Sequence, residues 1–270
     1  METSNGTRTG SENGMIRKEY SLHEGFIHAF TPSGGSSKPG AAWGAKSAVA
    51  CYIVVLVGVL LVAIATTLAL GYVGVDYKDP PYPLSLVSIP INEVTILVLT
   101  WAFARRGKAG IGQLGFRGVS AGMAFKMVLL AIAMLVLTAT VAVAQNTMLG
   151  PDPSEELFTK LVSPRTPVQL AILIAFSMLL VGPVEELFAR GYIQQGLEDS
   201  IGKTKGWLLA SLLFGMLHAL NILRAIAPTL VAGLFLGYIW QRTGRNTTAV
   251  SIMHGAYDSI ALALAFLAGV

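Results

Sequence analysis

The chain has 270 residues, of which 53% are hydrophobic and only 13% charged, with a net charge of +4. Soluble domains carry about 25% charged residues, so this composition excludes disorder over most of the length and argues against a water-soluble globule. A positive excess on so apolar a chain marks cytoplasmic loops of a membrane protein and gives no reason to expect a nucleic-acid partner. The single cysteine, Cys51, leaves no material for a disulfide framework or a Cys-rich metal site.

Residues 1–45 are rich in Gly, Ser, Thr and charges of both signs and hold no long apolar run. They read as a disordered cytoplasmic tail, in which Phe26, Ile27 and Phe30 are stray apolar residues and His23 and His28 carry no assignment. Seven apolar helices follow, near 46–74, 84–104, 120–148, 167–197, 205–221, 223–241 and 247–269. A membrane span needs about 20 apolar residues. The fifth helix is short and the second is interrupted by Pro90 and Glu93, so these two are the weakest. Asp152-Pro-Ser-Glu155 has the form of a helix start, with an Asp cap, Pro in the first turn and Glu after it. It predicts a short interfacial helix ending before Pro164. Gly233-x-x-x-Gly237 in the sixth helix predicts close helix packing within the chain. Trp101, Trp207 and Trp240 fall near helix ends, as interfacial anchors do. The expected fold is an all-α, multi-pass transmembrane bundle of about seven spans. Residues 46–164 form its N-terminal helices and 165–270 a second unit.

Basic residues fall on one side of such a bundle: Lys46, Arg105, Arg106, Lys108, Arg117, Lys203, Lys205, Arg242 and Arg245, with the tail's Arg8, Arg17, Lys18 and Lys38. The other side holds Asp76, Asp79, Asp152, Glu155 and Glu156. The positive-inside rule places the first side, and the N-terminus, in the cytoplasm. The expected location is the plasma membrane, and the bilayer itself is the first partner.

Ionisable side chains at a bilayer centre cost on the order of 2.5–3.5 kcal/mol each and persist where they have partners or a task. Here they are Glu93, Glu185, Glu186, Arg190, His218, His254 and Asp258. Glu186 and Arg190 are four apart and share a helix face, so they pair. Glu185 points about 100° away and is left to face a cavity. Phe214 lies four residues before His218, and its ring beneath the imidazole would fix that ring's orientation. His254 and Asp258 share a face at the same spacing. Either Asp258 holds one ring nitrogen of His254 and sets its tautomer, or both point at a substrate oxygen. Glu93, apart from the others, either pairs with Arg105 or Arg106 by snorkelling or lines the cavity, and the structural reading is the favoured one. A free carboxylate with two histidines suits hydrolysis. Glu185 and His218 would hold and deprotonate a water, and His254 with Asp258 would stabilise an oxyanion.

Glu185-Glu186-x-x-x-Arg190, Phe214-x-x-x-His218 and His254-x-x-x-Asp258, in this order and each on an apolar helix, resemble the three motifs of the CPBP family. These are the CAAX proteases and bacteriocin-processing enzymes, also called abortive-infection-like proteins. The resemblance covers about residues 165–265. It implies an intramembrane endopeptidase whose site lies below the cytoplasmic face and whose substrate is a membrane-associated, lipidated or other peptide. By this resemblance Glu185 and His218 activate the water, and His254 and Asp258 form the oxyanion site. Glu186, Arg190 and Phe214 support them. The eukaryotic CAAX enzymes carry Asn where this chain has Asp258. No cofactor is expected, although Glu185, His218 and His254 are a possible zinc set. On the predicted boundaries His254 and Glu185 lie about 12 Å inside the cytoplasmic helix ends and His218 about 18 Å.

Zinc-type intramembrane hydrolases fit less well, because H-E-x-x-H is absent. Two readings of other classes remain: a non-catalytic membrane scaffold or immunity protein of the same fold, and a proton-coupled transporter built on the same buried Glu, His and Asp.

Overall fold

A computed structural model of the chain describes residues 41–77, 79–220 and 222–269. The expectations for residues 1–40 lie outside this set. All regular structure among the described residues is helical. In chain order α1 is Ala45–Tyr72, α2 Ser85–Arg106, α3 Ala121–Leu149 and α4 Pro153–Val162. Then come α5, Pro167–Ile201, α6, Lys203–His218, α7, Ile226–Arg242 with a 3₁₀ turn at Leu223–Ala225 before it, and α8, Thr247–Ala268.

Local chemistry sets several of these boundaries. The Ser120, Thr166 and Asn246 side chains accept from the backbone N–H three residues on and cap α3, α5 and α8. α4 starts as predicted, with the Asp152 carboxylate accepting from Ser154 N at 2.9 Å, Pro153 in the first turn and Glu155 and Glu156 behind it. None of its residues is buried. Around Gly182-Pro183, α5 widens into π turns at Ser177–Val181 and Leu187–Gln194. A proline lacks the N–H that the regular ladder needs, and a wider turn absorbs the mismatch. α5 then runs on to Ile201, beyond the predicted end.

Among the described residues six helices are long and apolar enough to cross a membrane: α1, α2, α3, α5, α7 with its 3₁₀ turn, and α8. α6, the short one in sequence, has 16 residues, reaches about 24 Å and is not among these six. At one end Thr247 N donates to Gly115 O at 2.9 Å, Arg117 donates to the Gly244 and Arg245 carbonyls, and Ala45 N donates to Ser200 Oγ at 2.8 Å. These contacts gather the basic loops. At the other end Leu84 N donates to Leu161 O at 2.9 Å, Arg165 donates to Pro80 O and Arg224 to Gly150 O. Large apolar side chains such as Leu61, Leu68, Val136 and Val143 are exposed along the outside. Outward apolar surface of this extent is a lipid-facing belt, and the protein is an integral membrane protein.

Two buried clusters flank α5. One, with Val55, Ile96, Phe188 and Tyr192, packs α1 and α2 against α5 and α6. The other, with Met127, Met134, Trp240 and Met253, joins α3, α7 and α8. Trp240 is therefore a core residue and no interfacial anchor: it is fully buried, and its indole N–H donates to Thr247 Oγ1. The Gly233/Gly237 step packs within the chain as expected. A side-chain carbon at Gly233 would meet the Ser211 backbone of α6 at 3.1 Å, and one at Gly237 would meet Trp207 of α6 at 2.7 Å.

A tight crossing joins α5 to α8. A β-carbon at Gly182 would lie 2.6 Å from Ser251 O, and one at Gly255 2.7 Å from Ser177 O. Both clashes are with backbone, so the helices themselves would have to separate. Overpacking of this kind costs about 1–3 kcal/mol. We expect Gly182→Ala and Gly255→Ala each to lower the unfolding temperature in detergent. Gly122→Ala, on the open surface of α3, should leave it unchanged or raise it, as a thermal unfolding series will show.

Candidate active site

Three helices bring the motif residues together beneath the α5–α8 crossing. Glu186 lies at the bottom. Its carboxylate is 3.1 Å from Arg190 Nε on the same helix, and both side chains are fully buried. The same carboxylate accepts from His254 Nδ1 at 2.9 Å. The predicted Glu186–Arg190 pair is present, and Glu186 rather than Asp258 holds the ring of His254. Asp258 lies 3.7 Å from the other nitrogen, Nε2, too far for a hydrogen bond. With Nδ1–H donated to Glu186, His254 presents Nε2 toward Glu185 and Asp258.

His218 is turned the same way. Its Nδ1 lies 2.9 Å from the Phe214 carbonyl of its own helix. A carbonyl only accepts, so Nδ1 carries the proton and Nε2 is free to face the site. Glu185 Oε2 is then 3.9 Å from His218 Nε2 and 3.9 Å from His254 Nε2. That oxygen is buried and has no hydrogen-bond partner among the described residues. Phe214 sits among all of these groups, with its ring centroid 4.8 Å from that of His218, 6.0 Å from that of His254 and 4.7 Å from the Arg190 guanidinium carbon. The sequence spacing indicated its contact with His218 and gave no sign of the other two.

Glu93 departs from the favoured sequence reading and fits the other. Arg105 and Arg106 are exposed at the basic end of α2, while Glu93 is buried on the face it shares with Ile96, Thr100 and Ala104. The charges it feels are those of Glu185, His254 and Asp258, and its Oε2 is buried without a hydrogen-bond partner among the described residues. It is a fourth carboxyl facing the site, contributed by a helix outside the three motifs.

The basic end is closed by a polar layer that no motif announced. Glu198 Oε1 accepts from Gln194 Nε2 at 2.7 Å and from Gln241 Nε2 at 2.6 Å. Arg245 binds Glu198 at 2.9 Å and Asp199 at 2.8 Å, with its guanidinium over the Trp240 ring. Burial would lower the Arg245 pKa, but the hydrogen bond and charge of Asp199, with Glu198 beside it, outweigh this and raise it. The depth estimates shift too. Because α5 ends at Ile201 and α6 starts at Lys203, Glu185 and His218 lie roughly 24 Å and 22 Å along their helices from the basic end, and His254 about 10 Å.

Among the described residues no group of three His, Cys, Asp or Glu is arranged to hold a metal ion. Glu185, His218 and His254 are the nearest to one, but their 3.9 Å separations exceed the roughly 3.3 Å expected between N and O donors of tetrahedral zinc.

The Glu186–Arg190 pair holds two opposite charges with no access to water, and loss of one partner strands the other. Removing one member of a buried pair costs about 3–5 kcal/mol. Glu186→Ala and Arg190→Met should each lower stability strongly, and Glu186→Ala should also free the His254 ring. Thermal unfolding and the imidazole NMR signals will show both effects.

No curated protein and no solved structure matches the chain. Residues 167–260 match a family model, that of type II CAAX prenyl endopeptidase Rce1-like proteins. The matched segment runs from the start of α5 into α8 and contains Glu185, Glu186, Arg190, Phe214, His218, His254 and Asp258. The match over residues 167–260 is consistent with an intramembrane protease of the CPBP kind.

Proposed function

We propose that the protein is an intramembrane endopeptidase that hydrolyses a peptide bond with a water activated by Glu185 and His218. One observation carries this reading: the partnerless Glu185 Oε2 lies 3.9 Å from the Nε2 atoms of both histidines. That gap is too long for a direct hydrogen bond and suits one small group bonded to both sides at about 2.8 Å. A water there donates to the Glu185 carboxylate and to the His218 Nε2 lone pair, and its oxygen attacks the scissile carbonyl carbon. The proton it loses passes to Glu185 and then to the departing amine, so that the site is restored when the C–N bond breaks. The carbonyl oxygen, now negative, turns toward His254 Nε2 and Asp258. These stabilise it when protonated, and a single donor so placed is worth roughly 3–4 kcal/mol. Glu186 and Arg190 keep the His254 ring in place. The substrate class follows from the matched family's description: a peptide or protein held at the membrane, with a prenylated C-terminus as the first candidate.

A quenched peptide library that includes prenylated C-terminal peptides tests the reading, with purified full-length protein in detergent. Glu185→Gln keeps the shape and removes the base, so cleavage should fall by about 10²–10⁴-fold while the unfolding temperature is kept. Chelator should leave wild-type cleavage intact. Loss with chelator and recovery with zinc would overturn the metal-free route. No cleavage by folded wild type across the library would favour a scaffold of the same fold, and ion-coupled flux in vesicles would favour a transporter.

A further inference from the structure

Four carboxyl groups face the site, and three of them have a basic group close by. Glu186 holds the Arg190 guanidinium and the His254 ring. Glu185 has a histidine nitrogen at 3.9 Å on either side, and Asp258 has one at 3.7 Å. The side chains of these last two are also partly exposed, 14% and 24%. Glu93 has neither help. It is 5% exposed, its Oε2 is buried without a hydrogen-bond partner, and no ion pair among the described residues includes it.

Its place in the fold points to Glu185. Glu93 shares the inner face of α2 with Ile96, Thr100 and Ala104, while Ile91, Val94 and Val98 are exposed on the outer face. α2 packs against the Ser177–Glu186 stretch of α5, which carries Glu185. Of the charges Glu93 feels, that of Glu185 is the foremost, ahead of His254 and Asp258. Glu186 Oε2 faces Arg190. The other buried carboxyl oxygens without a hydrogen-bond partner among the described residues are Glu93 Oε2 and Glu185 Oε2. A charge on Glu93 would have nothing to compensate its burial and would be repelled by its neighbours. A carboxyl that keeps its proton has an O–H to give instead, and a buried donor takes an acceptor.

We propose that Glu93 is a positioning residue, a protonated carboxyl that donates its O–H to the Glu185 carboxylate. A carboxylate oxygen accepts from more than one donor, so the bond leaves Glu185 able to hold the water. It stops the carboxylate from turning about its last side-chain bond and keeps Oε2 between the two histidines. Glu93 keeps its proton throughout and never touches the scissile bond. It ties the site to α2, which lies outside the matched residues 167–260. The inference deepens the hydrolytic reading and rests on it for the role of Glu185 as base; the bond itself does not depend on turnover.

Infrared difference spectra and cleavage by the full-length protein in detergent test the two parts. Wild type minus Glu93→Gln should show the C=O stretch of a protonated carboxyl, and a carboxylate difference in its place would overturn the proposal. The Glu185 carboxylate stretch, identified by its loss in Glu185→Gln, should shift in Glu93→Leu, or in Glu93→Met should the first variant fold poorly. An unmoved band would overturn the bond. In the prenylated-peptide assay Glu93→Leu should lower kcat by about 10²-fold, the cost of a slightly misplaced group, with KM and the unfolding temperature kept. Glu93→Gln still donates and should recover most of that loss. Wild-type cleavage by Glu93→Leu, or a fall in Glu93→Gln as deep as in Glu93→Leu, would overturn the positioning role. Failure of the hydrolytic reading looks different: both infrared signals appear as expected and the wild type cleaves nothing.

Discussion

The Glu186 carboxylate, shared between Arg190 on its own helix and His254 on another, is the constraint on which the site depends. An isolated carboxylate within an apolar bundle would be expelled or neutralised. Here one oxygen meets a guanidinium and the other a ring N–H, and the charge becomes a fixed joint between α5 and α8. The joint sets which nitrogen of His254 faces the site, and this in turn gives Glu185 and Asp258 a common partner. Neighbouring carboxylates on one helix thus do different work because their side chains leave the axis about 100° apart.

The joint can form only because the helices approach closely. Gly182 and Gly255 each lack the atom that would hold the backbones apart, and each lies a few residues from the charges it helps to bring together. In a bilayer, apolar side chains gain little by leaving lipid for one another, so close packing at small residues and buried polar bonds carry more of the association. The same helix pair uses both, at neighbouring positions.

How much of this was legible in the sequence depends on the reach of each interaction. Contacts four residues apart on one helix were readable: Glu186 with Arg190, Phe214 with His218, and the common face of His254 and Asp258. The seven helices, the start of α4 and the Gly233/Gly237 step were readable for the same reason, since each is local. Interactions between helices were not. Nothing in the spacing says that Glu186 reaches His254, that Glu93 on α2 faces the charges of α5 and α8, or that Gln194, Glu198, Gln241 and Arg245 meet in one layer. Trp240 misled because position near a helix end is a one-dimensional clue. Arg245 and Thr247 enclose the indole in a way that only the folded loop supplies.

The wide turns of α5 carry a further consequence. A π turn holds one residue more than the regular ladder would place there, so the helix stores register as well as length. Each residue sets the angular phase of everything beyond it by about 100°. Deletion of a single residue within Leu187–Gln194 could leave a continuous and even more regular helix. It would also rotate Gly182, Glu185 and Glu186 away from α8 as a rigid group. For this segment, helical content and a working arrangement are separate properties: the irregular backbone is the one that aims the carboxylates.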